Sequence, residues 1–315
     1  MQFNFPLLRL PRQYCANTLA DEVAALETSA WVPHPGKLAG NDAVLLITPN
    51  GQMTNGFTGP MAPTEHLRRC PYIMEIMADL GAVWGRSRLM GLAPGSRVPP
   101  HVDLGYYWRT HLRIHIPIVT SPKVHFTCGD EQIHMAAGQC WTFDSFQMHN
   151  VHNGGSEKRI HLVLDTVGGD ELWQLVAHAQ QAEGGLAPLP PVLKPGETRT
   201  DGLAFERVNA PEIMSPWEVR CHIDYVLGHA PAALNRKQIE ERLERFADGW
   251  AWNWAQYGPS QTGLGSYQRL LAQAQSDLTA LGAGRIQLSN QVPLDRALSE
   301  LIFRMAVPAP VARAA

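Results

Sequence analysis

Between residues 87 and 167, apolar and polar positions fall into short runs broken by turn residues. On both sides of that stretch, apolar positions recur at helical spacing. The short runs predict strands near 87–92, 98–103, 110–119, 122–128, 131–135, 139–144, 149–153 and 159–166. The clearest turns are Thr127-Cys128-Gly129-Asp130 and Asn153-Gly154-Gly155-Ser156. Short strands in series with no helix between them predict a sandwich or a jelly roll. Upstream, Asn17–Leu26 opens with capping residues and reads as a helix ending near Ser29. Asp42–Thr48 reads as a strand closed by Pro49-Asn50-Gly51, and a second helix spans about 63–80, disturbed at Pro71. Downstream, Asp170–Val176 opens a helix that decays into Gly184-Gly185, and Pro188 to Gly196 forms a stiff connector. Helices follow at roughly 212–228, 235–256, 266–281 and 293–305, before a frayed Ala/Pro/Val tail from 306. No internal repeat is visible. The expected organisation is a domain over 1–183 with its β-core at about 87–167, a Pro-rich linker over 184–200, and a helical domain over 201–315.

Composition narrows the function classes. The 315 residues suit one large domain or two ordinary ones, and the nine Trp, nine Phe and seven Tyr are those of a packed protein. A net charge of −3 argues against a nucleic-acid partner held by phosphate contacts. Pro6 and Pro11 break the N-terminal segment before any continuous apolar export signal can form. The longest aliphatic runs, such as Ala43–Ile47, fall far short of the roughly 18 residues a membrane helix needs. Cys15, Cys70, Cys128, Cys140 and Cys221 are odd in number and never spaced C-x-x-C. They read as reduced thiols in a cytoplasmic protein, with no membrane partner.

Histidine is distributed unevenly: eight of the thirteen lie between 101 and 161. Within that cluster stands His101-Val102-Asp103, with His149 downstream and Arg159 ten residues later. Residues i and i+2 of a strand face one side, so His101 and Asp103 can reach one ion together. With His149 they make two histidines and one carboxylate, the facial triad of non-haem Fe(II) oxygenases, which leaves coordination positions open. Those positions suit 2-oxoglutarate and dioxygen. The far carboxylate of 2-oxoglutarate then needs a cation, and the guanidinium of Arg159 can grip both oxygens. His152 rivals His149 as the third ligand, but it points off the opposite strand face. Arg109, His111, Arg113 and His115 alternate with Thr110, Leu112, Ile114 and Ile116, so one strand face is basic. Inside a barrel this face would form an anion pocket, with Arg113 and His115 lining the site.

These residues resemble a family, the aspartyl/asparaginyl β-hydroxylase-like 2-oxoglutarate dioxygenases, which includes bacterial proline hydroxylases. The resemblance runs from about Leu92 to Val167. Its blocks are Ala93 to Asp103, Leu112 to Pro117, Gly138 to His149 and Arg159 to Asp165. It implies a mixed fold with a double-stranded β-helix core (jelly roll, cupin-like), N-terminal α/β elements and a helical C-terminal region. It also implies Fe(II) on His101, Asp103 and His149, with the far carboxylate of 2-oxoglutarate on Arg159, and Arg113 and His115 assisting. The animal peptidyl hydroxylases of the family lack the carboxylate ligand. Asp103 therefore aligns this chain with the amino-acid hydroxylases, and with hydroxylation over halogenation.

Three functions follow as expectations. The first is hydroxylation of an unactivated C–H bond in a free amino acid or related small carboxylate. The second is hydroxylation of Asp or Asn in a peptide, and the third is a cupin-like metal-binding protein without oxygenase turnover. Tyr106-Tyr107-Trp108 reads as a substrate loop or as a turn packed over the barrel. Trp217, Trp250, Trp252 and Trp254 could line a substrate entrance, but the last three cannot all face one side of a helix, so packing against the core or a partner subunit is the commoner reading.

Overall fold

The structure is a computed structural model that describes residues 3–307. Most of the tail expected to fray, 308–315, lies outside the described residues. The N-terminal part contributes strands β1 (Leu7–Gln13), β2 (Val32–Pro33), β3 (Asn41–Pro49) and β4 (Met61–Pro63). It also contributes helices α1 (Ala16–Ala24), α2 (Glu65–Arg68) and α3 (Pro71–Asp79). The expected single helix over 63–80 divides because Pro71 has no N–H to continue one and instead opens α3 as its first residue. The Glu22 carboxylate of α1 accepts from the Tyr72 and Ile73 amides at 2.6 and 3.1 Å, satisfying donors that the new helix start leaves open.

The core comprises β5 (Val83–Leu92), β6 (Arg97–His101), β7 (Leu112–Val119), β8 (Val124–Cys128), β9 (Glu131–Ile133), β10 (Gln139–Phe143), β11 (His149–Asn153) and β12 (Arg159–Gly168). A short helix, α4 (Tyr106–Thr110), interrupts it. One sheet runs β1-β10-β7-β12-β5-β3-β2, and the other runs β6-β11-β8-β9. The chain thus passes repeatedly between two antiparallel sheets, which is the double-stranded β-helix expected above.

Alternation along β12 decides which side chains face which way. Leu162 and Leu164, with Ile114 and Ile116 on β7 and Leu89 on β5, are fully buried on one sheet face. Helix α1 packs against β7, and α5 (Asp170–Gln181) packs against β1. Each such aliphatic side chain contributes about 1.5–3 kcal/mol when buried. The opposite face of the same three strands carries Arg88, Arg113, His115, Arg159, His161 and Asp165. A slip of one residue would put those charges under the helices, so the register is fixed by the apolar face and the site inherits it.

By internal contacts the chain divides into two units, one of residues 1–102 and 110–209, the other of 103–109 and 210–315. The proline-rich stretch 184–200 stays with the first unit. Ala187 and Leu193 donate their amides to Arg9 and Gln13 of β1, and the Tyr72 hydroxyl donates to the Leu193 carbonyl. Strand β13 (Ala204–Phe205) then adds in parallel to β5. The second unit holds α6 (Pro216–Gly228), α7 (Arg236–Tyr257), α8 (Leu264–Ala280) and α9 (Leu294–Leu298). Its centre is Trp250, fully buried, donating to the Met214 carbonyl at 2.8 Å, with its ring centre 4.5 Å from that of Tyr267 at a tilt of 50°. Trp217 and Trp252 are exposed. Among the described residues no helix is long and apolar enough to cross a membrane, and the five cysteines are free thiols.

Candidate functional site

His101 is the last residue of β6 and His149 the first of β11. The two strands pair antiparallel with these residues directly opposite, so their rings meet at a centroid distance of 4.2 Å. Strand β6 ends at His101, so Asp103 sits in the loop beyond it and not on the strand predicted to 103. A turn at Gly105 (φ +145°) then leads into α4. Ligand atoms of His101, Asp103 and His149 nonetheless lie within 4.8 Å of one another and could hold one metal ion. Both imidazoles place Nδ1 2.9 Å from the carbonyl two residues earlier, Pro99 for His101 and Gln147 for His149. A carbonyl only accepts, so each Nδ1 carries its proton and each Nε2 is left as the ligand atom. His149 is buried, stacked parallel to Phe126 and edge-on to Phe143 at 4.8 Å, which fixes its ring plane. His152 is exposed, paired across the strand with His125, and takes no part.

Behind the triad, the basic face of the large sheet forms two clusters that differ in charge balance. In the first, Arg113 of β7 donates to both oxygens of its cross-strand partner Asp165, at 2.9 and 3.4 Å. The Arg86 guanidinium lies 3.8 Å from the same carboxylate. Asp165 is buried, so a carboxylate that the strand pattern did not single out offsets much of the Arg113 charge.

In the second, Arg159 is 4% exposed and its partner is an imidazole, with Nη2 2.6 Å from His161 Nδ1. His161 Nδ1 lies 3.4 Å from His115 Nδ1, the rings crossing edge to face at 5.7 Å. Burial, and after it the Arg159 charge, pushes both histidines well below the usual imidazole range, so both are neutral at pH 7. Burial also lowers Arg159 to about 9. Arg159 Nε, His115 Nε2 and His161 Nε2 are buried without a hydrogen-bond partner. So are the Thr120 and Ser121 hydroxyls, which with Asn153, Lys158 and Arg159 line a cavity of about 80 Å³. Each orphaned polar group costs on the order of 1–3 kcal/mol, and three of these belong to residues that line the cavity, Arg159, Thr120 and Ser121, which marks it as a place suited to a polar ligand.

The remaining basic residues are placed otherwise. Strand β7 begins only at Leu112, so Arg109 and His111 are not on the basic strand face predicted from 110. Arg109 ends up in α4 with its guanidinium 4.0 Å from the Tyr225 ring centre, and Tyr106 donates to Glu218 at 2.6 Å. His111 pairs with buried Glu206 at 2.6 Å. The sequence reading passed over His161, Asp165, Thr120 and Ser121 as site residues. The first two share the strand face of Arg159 by simple alternation, and that signal could have found them.

Residues 45–168 match the aspartyl/asparaginyl beta-hydroxylase family. The resemblance expected from the four sequence blocks is borne out over that segment, which contains the whole β-core from β5 to β12 and every residue of the triad and the basic face described above. A 115-residue stretch is 31% identical to L-proline cis-3-hydroxylase 1 of Streptomyces sp; it covers 34% of this chain and 38% of that protein's length. Among solved structures, a Pseudomonas putida prolyl-4-hydroxylase aligns over 52% of this chain and 92% of its own (TM-score 0.35, 12% identity). A 2OG-Fe(II) oxygenase family oxidoreductase from Burkholderia pseudomallei aligns over 53% and 87% (TM-score 0.37, 12% identity).

Proposed function

We propose that this protein is an Fe(II)- and 2-oxoglutarate-dependent dioxygenase that hydroxylates an unactivated C–H bond of a free amino acid or related small carboxylate. One observation carries the reading: one ligand atom from each of two imidazoles and one carboxylate lie within 4.8 Å of one another, and both Nδ1 positions are tied to carbonyls. Two nitrogen donors and one oxygen donor suit Fe(II) and leave positions for a chelating co-substrate and dioxygen. When bound, the iron with 2-oxoglutarate and dioxygen supplies the oxidising power, and the co-substrate is converted to succinate and carbon dioxide.

The chain's own residues have separable tasks. His101, Asp103 and His149 hold the metal. Arg159 offers an uncompensated positive charge for the far carboxylate of the co-substrate, and the unpartnered Thr120 and Ser121 hydroxyls offer further hydrogen bonds in the adjoining cavity. His115 packs edge-on against the Phe126 and Phe143 rings, at 5.5 and 5.4 Å, and the same two rings pack against His149 as an apolar wall. Arg113 is committed to Asp165 and contributes to the basic surroundings. The 31% identity to a proline hydroxylase and the carboxylate ligand Asp103 favour a free amino acid. The family match by its own description keeps peptidyl Asp or Asn as the second substrate class. A cytoplasmic location belongs to the same proposal.

The test uses anaerobic protein loaded with Fe(II). Addition of 2-oxoglutarate is expected to raise a weak visible charge-transfer band, absent in His149→Ala and needing much more 2-oxoglutarate in Arg159→Ala. Succinate release is then scored with proline and other free amino acids against short Asp- and Asn-containing peptides. No band in well-folded, iron-loaded wild type would overturn the oxygenase reading in favour of a metal-binding protein without turnover.

A further inference from the structure

Two buried arginines of the basic face are treated in opposite ways, and the difference assigns a role to His161. Arg113 faces a carboxylate, whereas among the described residues Arg159 has only the imidazole of His161 as a side-chain hydrogen-bond partner. A guanidinium has N–H donors and no acceptor, so the 2.6 Å contact requires His161 Nδ1 to be an unprotonated acceptor. His161 is therefore the neutral tautomer with its proton on Nε2. His115 Nδ1 lies 3.4 Å from the same atom, farther off than the guanidinium. With Arg159 donating to His161 Nδ1, Arg159 Nε–H and His161 Nε2–H are buried donors without partners.

We infer that His161 is a positioning residue for co-substrate binding: it aims the Arg159 guanidinium through Nδ1 while leaving its positive charge for the incoming carboxylate. This rests on the 2-oxoglutarate reading above. A carboxylate in place of His161 would orient Arg159 equally well, yet it would neutralise the charge that the ligand needs. A merely packed side chain would leave the fork free to swing. The inference separates orientation from charge, and variants can separate them too.

His161→Asn keeps an acceptor near the Nδ1 position, His161→Gln moves its amide toward the Nε2 position, and His161→Asp keeps the acceptor but adds a negative charge. The dissociation constant of 2-oxoglutarate is measured calorimetrically on anaerobic Fe(II)-loaded protein, alongside KM for 2-oxoglutarate and kcat. The expected pattern is His161→Asn within about threefold of wild type. His161→Gln and His161→Asp are expected to be weaker by about tenfold or more, in KM and in the dissociation constant, with kcat at saturating 2-oxoglutarate changed much less. A structural role predicts instead that affinity follows thermal stability across the set. Should His161→Asp fail to fold, the Asn and Gln pair still decides. Equal affinity for those two overturns the inference while the function stands, whereas no binding by wild type overturns both.

Discussion

At the scale of single residues, the site depends on how each buried charge is balanced. Asp165 serves Arg113 at 2.9 Å and Arg86 at 3.8 Å from a position almost closed to water. Removing one member of a buried ion pair leaves the other uncompensated, which costs about 3–5 kcal/mol. Asp165→Asn keeps the shape and removes the charge. It is expected to lower unfolding free energy by about that amount in urea titrations at pH 7, and a loss below about 1 kcal/mol would show that the carboxylate is not what holds these arginines. Its effect on 2-oxoglutarate affinity is expected to be smaller than that of Arg159→Ala, because Arg159 has its own, neutral partner.

At the scale of elements, the loop between β6 and α4 places Asp103, the carboxylate ligand proposed above. Gly105 makes its turn at φ +145°, a conformation that L side chains rarely adopt. An added Cβ would meet only Trp108 Cδ1 at an ordinary 3.7 Å, so the barrier to substitution is conformational and not steric. Gly105→Ala is expected to cost on the order of 1–3 kcal/mol locally and to displace Asp103. Fe(II) or Mn(II) affinity should fall at least tenfold while the far-UV circular dichroism is kept; unchanged metal affinity would mean the loop tolerates the strain. This loop also marks where sequence reading failed. The core strands were legible because apolar and polar positions alternate and turn residues bound them, and the histidine ligands because they stand at strand ends within that pattern. The i, i+2 argument paired Asp103 with His101 through a strand that ends two residues too early, although the two do lie together with His149. It extended β7 back over Arg109 and His111, where α4 and the Glu206 pair take over. Strand β1 was missed because Pro6 and Pro11 interrupt its pattern, although it pairs with β10 along most of its length. The partner of Arg159 is not signalled by residue types at family spacing; strand alternation alone points to it, because His161, two places along β12, shares its face.

At the scale of the whole molecule, several histidines are folded in as neutral groups, and that ties stability to pH. Burial, followed by the nearby Arg109 charge, lowers His222 of α6 to about 4. Burial and the surrounding arginines Arg88, Arg86 and Arg113, with His101, do the same to His34. His115 and His161 are lowered in the same direction, by burial first and then by the Arg159 charge. In each case the folded-state value lies below the unfolded value of about 6.5, so the unfolded chain binds the proton first. Stability is therefore at its plateau above about pH 6.5 and falls as the pH drops toward the folded-state values. For His222 alone the loss between pH 7.5 and 5.0 comes to about 2 kcal/mol. Both ring nitrogens of His222 are buried without a hydrogen-bond partner, so an apolar ring of similar size removes a cost at every pH. His222→Phe is accordingly expected to be at least as stable as wild type at pH 7.5 and to lose about 2 kcal/mol less on going to pH 5.0. Urea denaturation of the metal-free protein at several pH values measures both quantities. Parallel pH profiles for the two proteins would mean that His222 takes up its proton in the folded state as readily as in the unfolded chain. The acid sensitivity would then belong to the first unit, where His34, His115 and His161 surround the basic face.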